Sequence, residues 1–403
     1  MLQIKPIMSM LMRNKSGPLL LLVQIILSVA IVANASFIIT ERVGLMSRDS
    51  GITESEVFDL DIYNFDDGME PISQTKRDIE IIRNLDGVKA ATLSSMTPLS
   101  GGGWSSNFSY GTSKEDRVDA TNAPLYYGDE QMISTLDLKL IEGRNFYPDE
   151  VATGGPELAS LLIVSQAYAT ETFGDESAVG KVMYRGEIGN QPMKIVGVVE
   201  RLQGAWVDNN NLERGIIINV ELAAAFNRVL VRADEDAIAG LKEAIPAALH
   251  RENPNRVVRG FKTISEHRTG IYRNHELMAT VLSMMVVLLL LITSLGLAGM
   301  VMFNIERRTK QIGTRRALGA KKRDIVSFFL VENYLICLTG GVLGALIAVQ
   351  LGQQLMTLYS LPKLELIYPI VTVVGLLVLT TIAVIFPAQK AAKISPATAT
   401  RSV

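Results

Sequence analysis

Four long apolar runs constrain this chain more than any other feature of its sequence. Pro18–Ile39, Leu277–Phe303 and Leu366–Phe386 contain no charged residue, and Ile325–Leu351 contains one acid, Glu332. About 20 apolar residues are needed for a helix to cross the ~30 Å hydrocarbon layer of a membrane. The alternative, buried core helices of a soluble protein, does not suit uncharged runs of this length. The sequence therefore predicts four transmembrane helices, at 18–40, 276–303, 325–351 and 366–386.

A short basic segment between the second and third runs sets the orientation. Glu306–Ile325 holds eight Lys/Arg against two acids, and short loops rich in Lys and Arg stay in the cytoplasm. Residues 41–275, between the first two predicted spans, carry 24 Lys/Arg and 36 Asp/Glu, which agrees with an outer location. This orientation places inside the segments 1–17, 304–324 and 387–403, and outside the segments 41–275 and 352–365.

The first apolar run has a second interpretation. Cations precede it, and the Ala-Asn-Ala sequence at 33–35 resembles a signal-peptide cleavage site. The apolar run continues to Ile39 and exceeds a typical signal sequence, which favours a retained span. Apolar residues between Ile4 and Leu11 recur at helical spacing with cations around them. This pattern is typical of an amphipathic helix on the inner membrane surface, with a plain basic flank as the alternative.

The outer region, 41–275, predicts an α+β domain inserted between the first two spans. Two strand–helix–strand patterns, at 56–94 and 229–261, bracket a stretch at about 95–227 that is richer in glycine and turns. We therefore expect one subdomain built from the two ends and a second inserted in the middle. Residues 265–276 are charged and continue helically into the second span, which suggests a rigid stalk.

Catalytic and metal-binding patterns are missing from the sequence. His250, His267 and His275 are its three histidines, and none pairs with another histidine or a cysteine at metal-ligand spacing. Residues 174–182 resemble a phosphate-binding loop only superficially, because the glycine spacing is one residue too long and Val182 replaces the required Ser or Thr. We therefore predict a chain that is not an enzyme and binds no metal, cofactor or nucleic acid directly.

Three residues of the third span are candidates for packing or function. Glu332 is an acid inside the membrane, which is a functional hypothesis by default, although pairing with an Arg or Lys near the inner surface is an alternative. Gly340 and Gly344 form a small-xxx-small pair, a pattern that favours close helix packing. That face suits either the bundle of one chain or a dimer seam.

The basic segment resembles the cytoplasmic coupling segment of FtsX/MacB-type permeases of ABC transporters. The family pattern Arg-x-Arg-Glu-Ile-Gly-x-Arg-(Arg/Lys)-Ala-Leu-Gly-Ala appears at 308–320 as Arg-Thr-Lys-Gln-Ile-Gly-Thr-Arg-Arg-Ala-Leu-Gly-Ala. Gln311 stands where Glu is usual, which puts a charge contact from this position in doubt. The outer region resembles the MacB-type periplasmic domain at 140–146, 172–174, 179–181 and 195–199. The end of the chain, at 394–397, resembles the family's closing segment.

This resemblance implies a mechanism. Two permease protomers, identical or sister chains, would each dock a separate cytoplasmic ATPase subunit that binds ATP and Mg²⁺. Closure of the ATPases would move the coupling segment (304–324), and the long second-span helix would pass the motion to the outer domain. Ala317 and Leu318 would form the apolar contact, Gly313 and Gly319 would end helices, and the arginines would meet the ATPase or lipid headgroups. The residues expected at the ATPase interface are Arg307, Arg308, Gln311, Ile312, Gly313, Arg315, Arg316, Ala317, Leu318, Gly319 and Ala320.

The family resemblance also implies a location and a set of functions. A MacB-like permease in a bacterial inner membrane would drive efflux of substrate from the periplasm, through an adaptor and an outer-membrane channel. An FtsX-like scaffold would instead activate an extracytoplasmic enzyme, and a lipoprotein-release permease shares much of the architecture. The size and two-part layout of the outer region favour the MacB-like function.

Overall fold

The computed structural model describes residues 16–65, 70–111, 116–185, 191–208, 213–359 and 363–393. The predicted amphipathic pattern between Ile4 and Leu11 and the closing segment 394–397 lie outside these ranges. The chain divides into two compact units, one of them Ser47–Asn274 and the other formed by the regions before and after it. We call Ser47–Asn274 the outer domain.

The helices and strands of the described residues are bounded as follows. The α-helices are α1 Ser16–Met46, α2 Pro71–Arg83, α3 Met132–Leu136, α4 Gln166–Phe173, α5 Ile238–Glu252, α6 Ile264–Arg307, α7 Thr309–Ala317, α8 Lys322–Tyr359 and α9 Ile367–Ala392, with short 3₁₀ turns at Pro148–Glu150 and Pro156–Leu158. The strands are β1 Val57–Asn64, β2 Val88–Leu93, β3 Ser105–Ser106, β4 Phe108–Tyr110, β5 Val118–Asp119, β6 Ala123–Tyr127, β7 Leu140–Gly143, β8 Ala152–Thr153, β9 Leu161–Ser165, β10 Val182–Arg185, β11 Pro192–Val199, β12 Ile216–Ile218, β13 Val220–Glu221, β14 Phe226–Ala233 and β15 Arg256–Thr263.

Helices α1, α6, α8 and α9 are long and apolar enough to cross a membrane, by length and composition. The predicted fold class, four transmembrane helices with a large α+β domain between the first two, is therefore confirmed. The helices continue into charged sequence beyond the apolar runs. The second span belongs to α6, which has 44 residues and includes the predicted stalk.

A buried apolar cluster holds the four spanning helices together, and hydrogen bonds between the helices add to it. The hydroxyls of Ser28 on α1 and Thr293 on α6 are 2.8 Å apart. Asn34 on α1 donates to the carbonyl of Ala348 on α8 at 3.0 Å. Hydrogen bonds of this kind satisfy polar groups that lipid cannot solvate. The fully packed apolar side chains of the cluster are Leu21, Ile25, Val29, Leu297, Ile336, Cys337 and Leu376.

The two ends of the outer domain form a four-stranded antiparallel sheet. Its strand order is β15-β1-β14-β2, so the two strands of each strand–helix–strand unit are separated by one strand of the other unit. This interleaving is the split β-α-β arrangement. Helices α2 and α5 cover one face of the sheet and bury Ile79, Ile82, Leu241 and Ile245 against it. The alternation of apolar residues along β1 supplies the matching face.

A second sheet is built from the chain between β2 and β14. Its strand order is β3-β6-β12-β9-β11-β10-β4-β5, and β7 also pairs with β11. The pairs β6–β12 and β9–β11 are parallel. The three isoleucines of β12 have no exposed surface, as suits a central strand covered on both faces. Strands β8 and β13 form a separate parallel pair.

The start of α6 is tied to the four-stranded sheet, because β15 runs directly into it. Thr263 and Glu266 form a capping box, in which each side chain accepts a hydrogen bond from the backbone N–H of the other, at 2.8 and 3.1 Å. His267 contacts Asp59 of β1 at 3.0 Å. Arg268 donates twice to Glu54, at 2.7 and 2.6 Å. These bonds fix the first turns of α6 within the outer domain.

Candidate functional site

The coupling segment contains the point at which the helix after α6 is separated from it. Arg308 has φ −107° and ψ 11°, and it separates the end of α6 from the start of α7. The hydroxyl of Thr309 donates to the carbonyls of Ile305 and Glu306, at 2.9 and 3.0 Å. Such local side-chain bonds compete with the regular helix ladder and favour a bend or break. Because of this break, α7 is a separate short helix.

A buried ion pair holds this junction to the third span. The guanidinium of Arg308 donates to both oxygens of Glu332, at 2.9 and 3.1 Å. Both side chains are largely buried, with 14% and 3% of their surface exposed. A bidentate pair of this kind is strong and directional, and neither charge is tolerated alone in a dry site. The structure thus pairs the predicted intramembrane acid with a residue of the predicted coupling motif.

One side of α7 is packed against the inner ends of the spans. Ile312 is 5% exposed, and Gly313 is buried beside it. We expected Gly313 to end a helix, but the structure places it inside α7, which continues to Ala317. Gly313 lies on the buried side of this helix, where packing holds the helical conformation. The apolar cluster around Ile312 brings together α6, α8 and α9 through Val301, Ile325, Phe329, Val384, Ala388, Ala391 and Ala392.

Gly319 ends α7 with a specific capping pattern. Its φ of +94° lies in the left-handed region, where a residue without Cβ is favoured. The N–H of Ala320 donates to the carbonyl of Arg315 at 3.0 Å, and the N–H of Gly319 donates to that of Arg316 at 3.2 Å. These two bonds make a Schellman motif. The side chain of Arg316 adds a bond to the carbonyl of Ala320, at 2.8 Å.

The other side of α7 and its end are open. Leu318 is 83% exposed, and Gln311, Ala317 and Thr314 are exposed too. Arg315 lies over the ring of Phe328, 5.0 Å from its centroid. Arginine is enriched in the cores of protein–protein interfaces, and Leu318 adds exposed apolar surface one helical turn from the stacked Arg315.

The segment returns to the membrane through a capped turn. The backbone N–H of Lys321 donates to the Asp324 carboxylate at 2.8 Å, and α8 begins at Lys322. An acid at this position satisfies free N–H groups and complements the helix dipole. Asp324 was not among the predicted site residues, although its spacing from Lys321 is a recognisable helix-start signal. Arg307, at the other end of the segment, lies 5.5 Å from the Phe303 ring centroid.

The predicted glycine pair of the third span faces the first span of the same chain. A Cβ added at Gly344 would lie 2.7 Å from the carbonyl oxygen of Ile26 and 2.7 Å from Cβ of Val29. A Cβ added at Gly340 would lie 2.8 Å from Ile25. The two helices therefore approach closely because these positions have no side chain. In the structure, these two positions pack within the bundle of one chain.

No group of three or more His, Cys, Asp or Glu side chains that could hold a metal ion occurs in the described part of the chain. The cofactor prediction stays a prediction.

Two family models match the chain. The FtsX-like permease C-terminal model matches residues 283–396, which include the whole coupling segment, and the MacB-like periplasmic core domain model matches residues 20–248. Two solved structures are also similar to it. The extracellular domain of YknZ from Gram-positive bacteria is 16% identical, with a TM-score of 0.31, covering 50% of this chain and 100% of that one. The periplasmic region of MacB from Actinobacillus actinomycetemcomitans is 14% identical, with a TM-score of 0.34, covering 55% and 96%.

Full-length relatives agree with the family models. The macrolide export ATP-binding/permease protein MacB of Vibrio parahaemolyticus is 27% identical over 251 residues, 59% of this chain and 37% of that protein. MacB of Bradyrhizobium diazoefficiens is 30% identical over 56% of this chain and 35% of its own length. This chain thus spans little more than a third of either MacB relative. The uncharacterized ABC transporter permease YknZ of Bacillus subtilis is 26% identical over 81% of this chain and 79% of its own.

The MacB-like model covers more than half of the chain, and the FtsX-like model follows it in the expected order. Together with the four candidate spans, they place the protein in the inner membrane with its large domain in the periplasm. The chain therefore belongs to the FtsX/MacB-type ABC transporter permeases.

Proposed function

We propose that this permease couples ATP hydrolysis by a cytoplasmic ATPase subunit to a conformational change of its periplasmic domain. Two permease protomers, identical or sister chains, would act together, and ATP and Mg²⁺ would bind to the ATPase subunits. The name of the MacB relatives, ATP-binding/permease protein, joins the two functions that this mechanism needs.

The exposure of Leu318 is the observation that carries this proposal. This side chain is 83% exposed at the end of a helix whose other side is anchored by Ile312 and by the Arg308–Glu332 pair. A large apolar side chain on a fixed base costs free energy in water and gains it at an interface, at about 25 cal/mol per Å² buried. A partner that binds here would push on an element that is attached to three spans.

The continuity of α6 supports transmission of this push. The helix is uninterrupted from Ile264, which follows β15, to Arg307, which precedes the coupling helix. In its first turns, His267 bonds to Asp59 of β1 and Arg268 bonds to Glu54 in the turn before β1. A displacement of α7 would therefore act on a helix that is fixed at its other end within the periplasmic domain.

The polar residues buried in the described spans favour extrusion from the periplasm over passage through the protomer. Ser28 bonds to Thr293, Asn34 bonds to main-chain carbonyls, and Glu332 bonds to Arg308. Because these groups satisfy one another, they do not line a hydrophilic path. We infer that substrate would be expelled from the periplasmic side, with an adaptor and an outer-membrane channel as candidate partners.

Replacement of Leu318 by Asp tests the docking step. We expect Leu318→Asp to weaken co-purification with the ATPase subunit by roughly 30-fold or more, as for loss of an interface hot spot, and to abolish permease-stimulated ATP hydrolysis. Leu318→Ala should show a smaller loss. Leu158→Asp, at a leucine of the periplasmic domain that is 44% exposed, is the matched control and should bind normally. Normal assembly of Leu318→Asp would overturn the proposal.

A search for bound partners tests the efflux step separately. Recovery of an adaptor protein with the intact permease supports periplasmic extrusion. Recovery of a cell-wall hydrolase would instead indicate the FtsX-like scaffold, and mislocalised lipoproteins on depletion would indicate lipoprotein release. In each case the coupling through Leu318 would be retained.

A further inference from the structure

A cleft in the periplasmic domain has the size and lining of a ligand site. Its volume is about 380 Å³, within the range of about 300–1,000 Å³ that small-molecule sites occupy. One wall comes from the inserted sheet and includes Trp104, Tyr127 and Arg185. The other comes from the start of β14 and includes Phe226 and Arg228. The cleft thus lies where the two subdomains meet.

Two aromatic side chains are exposed at this cleft. Trp104 is 65% exposed and Phe226 is 44% exposed. Large aromatic side chains are costly to leave in water and are enriched where a protein binds a partner or ligand. The ring of Phe226 is supported by that of Tyr63, with centroids 4.8 Å apart. The chain therefore presents apolar surface here that nothing in the described residues covers.

The backbone that carries Trp104 is held in place. Its carbonyl accepts a hydrogen bond from the N–H of Leu125, at 2.8 Å. The preceding residue, Gly103, is packed so closely that an added Cβ would lie 2.6 Å from the sulfur of Met96. The indole is thus exposed on a fixed segment, and a preformed site of this kind binds ligand with a smaller loss of conformational entropy.

The charge of the cleft is positive. Arg228 is engaged by Asp61, with bonds of 2.8 and 3.4 Å. Arg185 donates to the hydroxyl of Tyr127, and no carboxylate pairs with it among the residues that the structure describes. Burial raises the pKa of Tyr127 above its ordinary value despite the opposing effect of Arg185, so the phenol stays neutral. The charge of Arg185 therefore has no counterion at this site in the described chain.

We propose that this cleft binds a small amphiphile that carries one carboxylate on an aromatic or aliphatic body. Arg185 would bind the carboxylate through its fork of N–H donors, and Trp104 and Phe226 would cover the apolar body. The site goes beyond the coupling function and does not depend on it. Binding can be measured on the permease without its ATPase, so failure of either proposal would leave the other unaffected.

The full chain in lipid nanodiscs provides the test, with Trp104 as a local reporter. The sequence holds two tryptophans, so Trp206→Phe leaves Trp104 as the sole donor. Dansylglycine is the probe, because its dansyl group accepts energy from tryptophan and it carries one carboxylate. We expect saturable quenching of Trp104 with sensitised dansyl emission, after subtraction of empty discs. Dansylamide, which lacks the carboxylate, should bind about tenfold more weakly or worse.

Variants of the cleft separate the charge from the apolar contacts. Arg185→Gln should weaken dansylglycine binding about tenfold and leave dansylamide binding unchanged. Phe226→Ser should weaken both probes. Lys139→Gln removes a cation that is 74% exposed away from the cleft and should change neither. Unaltered dansylglycine affinity in Arg185→Gln, equal binding of the cation dansylcadaverine, or absence of saturable transfer would overturn the proposal.

Discussion

Arg308 and Glu332 are 24 residues apart in sequence and form a bidentate ion pair at the inner ends of the second and third spans. Arg308 is also the residue that interrupts the helix between α6 and α7. The residue between α6 and α7 is therefore also the residue that bonds this junction to α8. The ion pair attaches the coupling segment to the membrane bundle. It thereby fixes the orientation of α7 and of the exposed Leu318 that follows it.

Removal of one member of this pair should be strongly destabilising. Arg308→Ala leaves Glu332 as an unpaired buried carboxylate, which costs about 3–5 kcal/mol in comparable sites. We expect a lower thermal unfolding midpoint in detergent and reduced ATPase stimulation. Arg307→Ala, next to it on the exposed side, is the matched control and should cost less than about 1 kcal/mol.

The double variant Arg308→Met with Glu332→Met completes the test of this pair. Replacement of both charges removes the penalty of an unpaired group, so the double variant should be more stable than Arg308→Ala. If the loss of stability in the double variant equalled the sum of the losses in the two single replacements, the ion pair would not be the cause of the destabilisation.

Close packing of the first and third spans should depend on Gly344. Its added Cβ would meet the Ile26 carbonyl at 2.7 Å, so Gly344→Ala should force the helices apart and cost about 1–3 kcal/mol. Gly299→Ala and Gly375→Ala are matched controls, because nothing lies within 4 Å of their added Cβ. The measurement is resistance of the folded protein to SDS. Equal resistance of all three variants would contradict the packing seen here.

Much of this architecture could be predicted because it depends on the local spacing of apolar residues in the sequence. Long apolar runs mark the four spans, and alternating or helical apolar spacing marks β1, α2 and α5. The pairing of strands in the inserted sheet could not be predicted, because β6 and β12 are parallel partners about 90 residues apart. Such pairings follow from non-local packing, which a single sequence does not display.

The candidate site was predictable to the same degree. The coupling motif names Arg308 and Leu318, but only the fold shows that one is buried against Glu332 and the other is exposed. Gly313 was assigned as a helix end from its residue type, yet it is buried inside α7 because tertiary packing on that face outweighs its low helix propensity. The predicted boundaries of the domains and spans, and the roles at the ATPase interface, stay predictions.

The stability of the periplasmic domain should depend on the protonation of Glu221. Burial raises the pKa of this carboxyl above its ordinary value of 4.5, Asp129 adds to the effect, and the bond from Thr153 opposes it. A raised carboxyl pKa favours the folded state when pH is below 4.5, and this contribution is lost as pH rises through the folded pKa. Glu221→Gln should therefore raise the unfolding midpoint near pH 7, with a difference that disappears in acid.

Tryptophan fluorescence can follow this transition, because Trp104 and Trp206 both lie in the periplasmic domain. Glu150→Gln is a control of opposite sign. The bonds from Arg144 are the main cause of the lowered pKa of Glu150, so its ionised form stabilises the fold and the variant should unfold earlier near pH 7. A lower midpoint for Glu221→Gln near pH 7 would show that its carboxylate is stabilising instead.

Accessibility of residue 314 tests most directly whether the coupling segment is a cytoplasmic docking element. Thr314 is exposed on α7, and Cys337, the single cysteine of the sequence, is buried and can be replaced by Ala. We predict that Thr314→Cys in this background reacts with a membrane-impermeant maleimide in inverted vesicles and is protected when the ATPase subunit is added. Labelling of the same thiol from the outside of sealed cells, or no protection by the ATPase, would contradict the account.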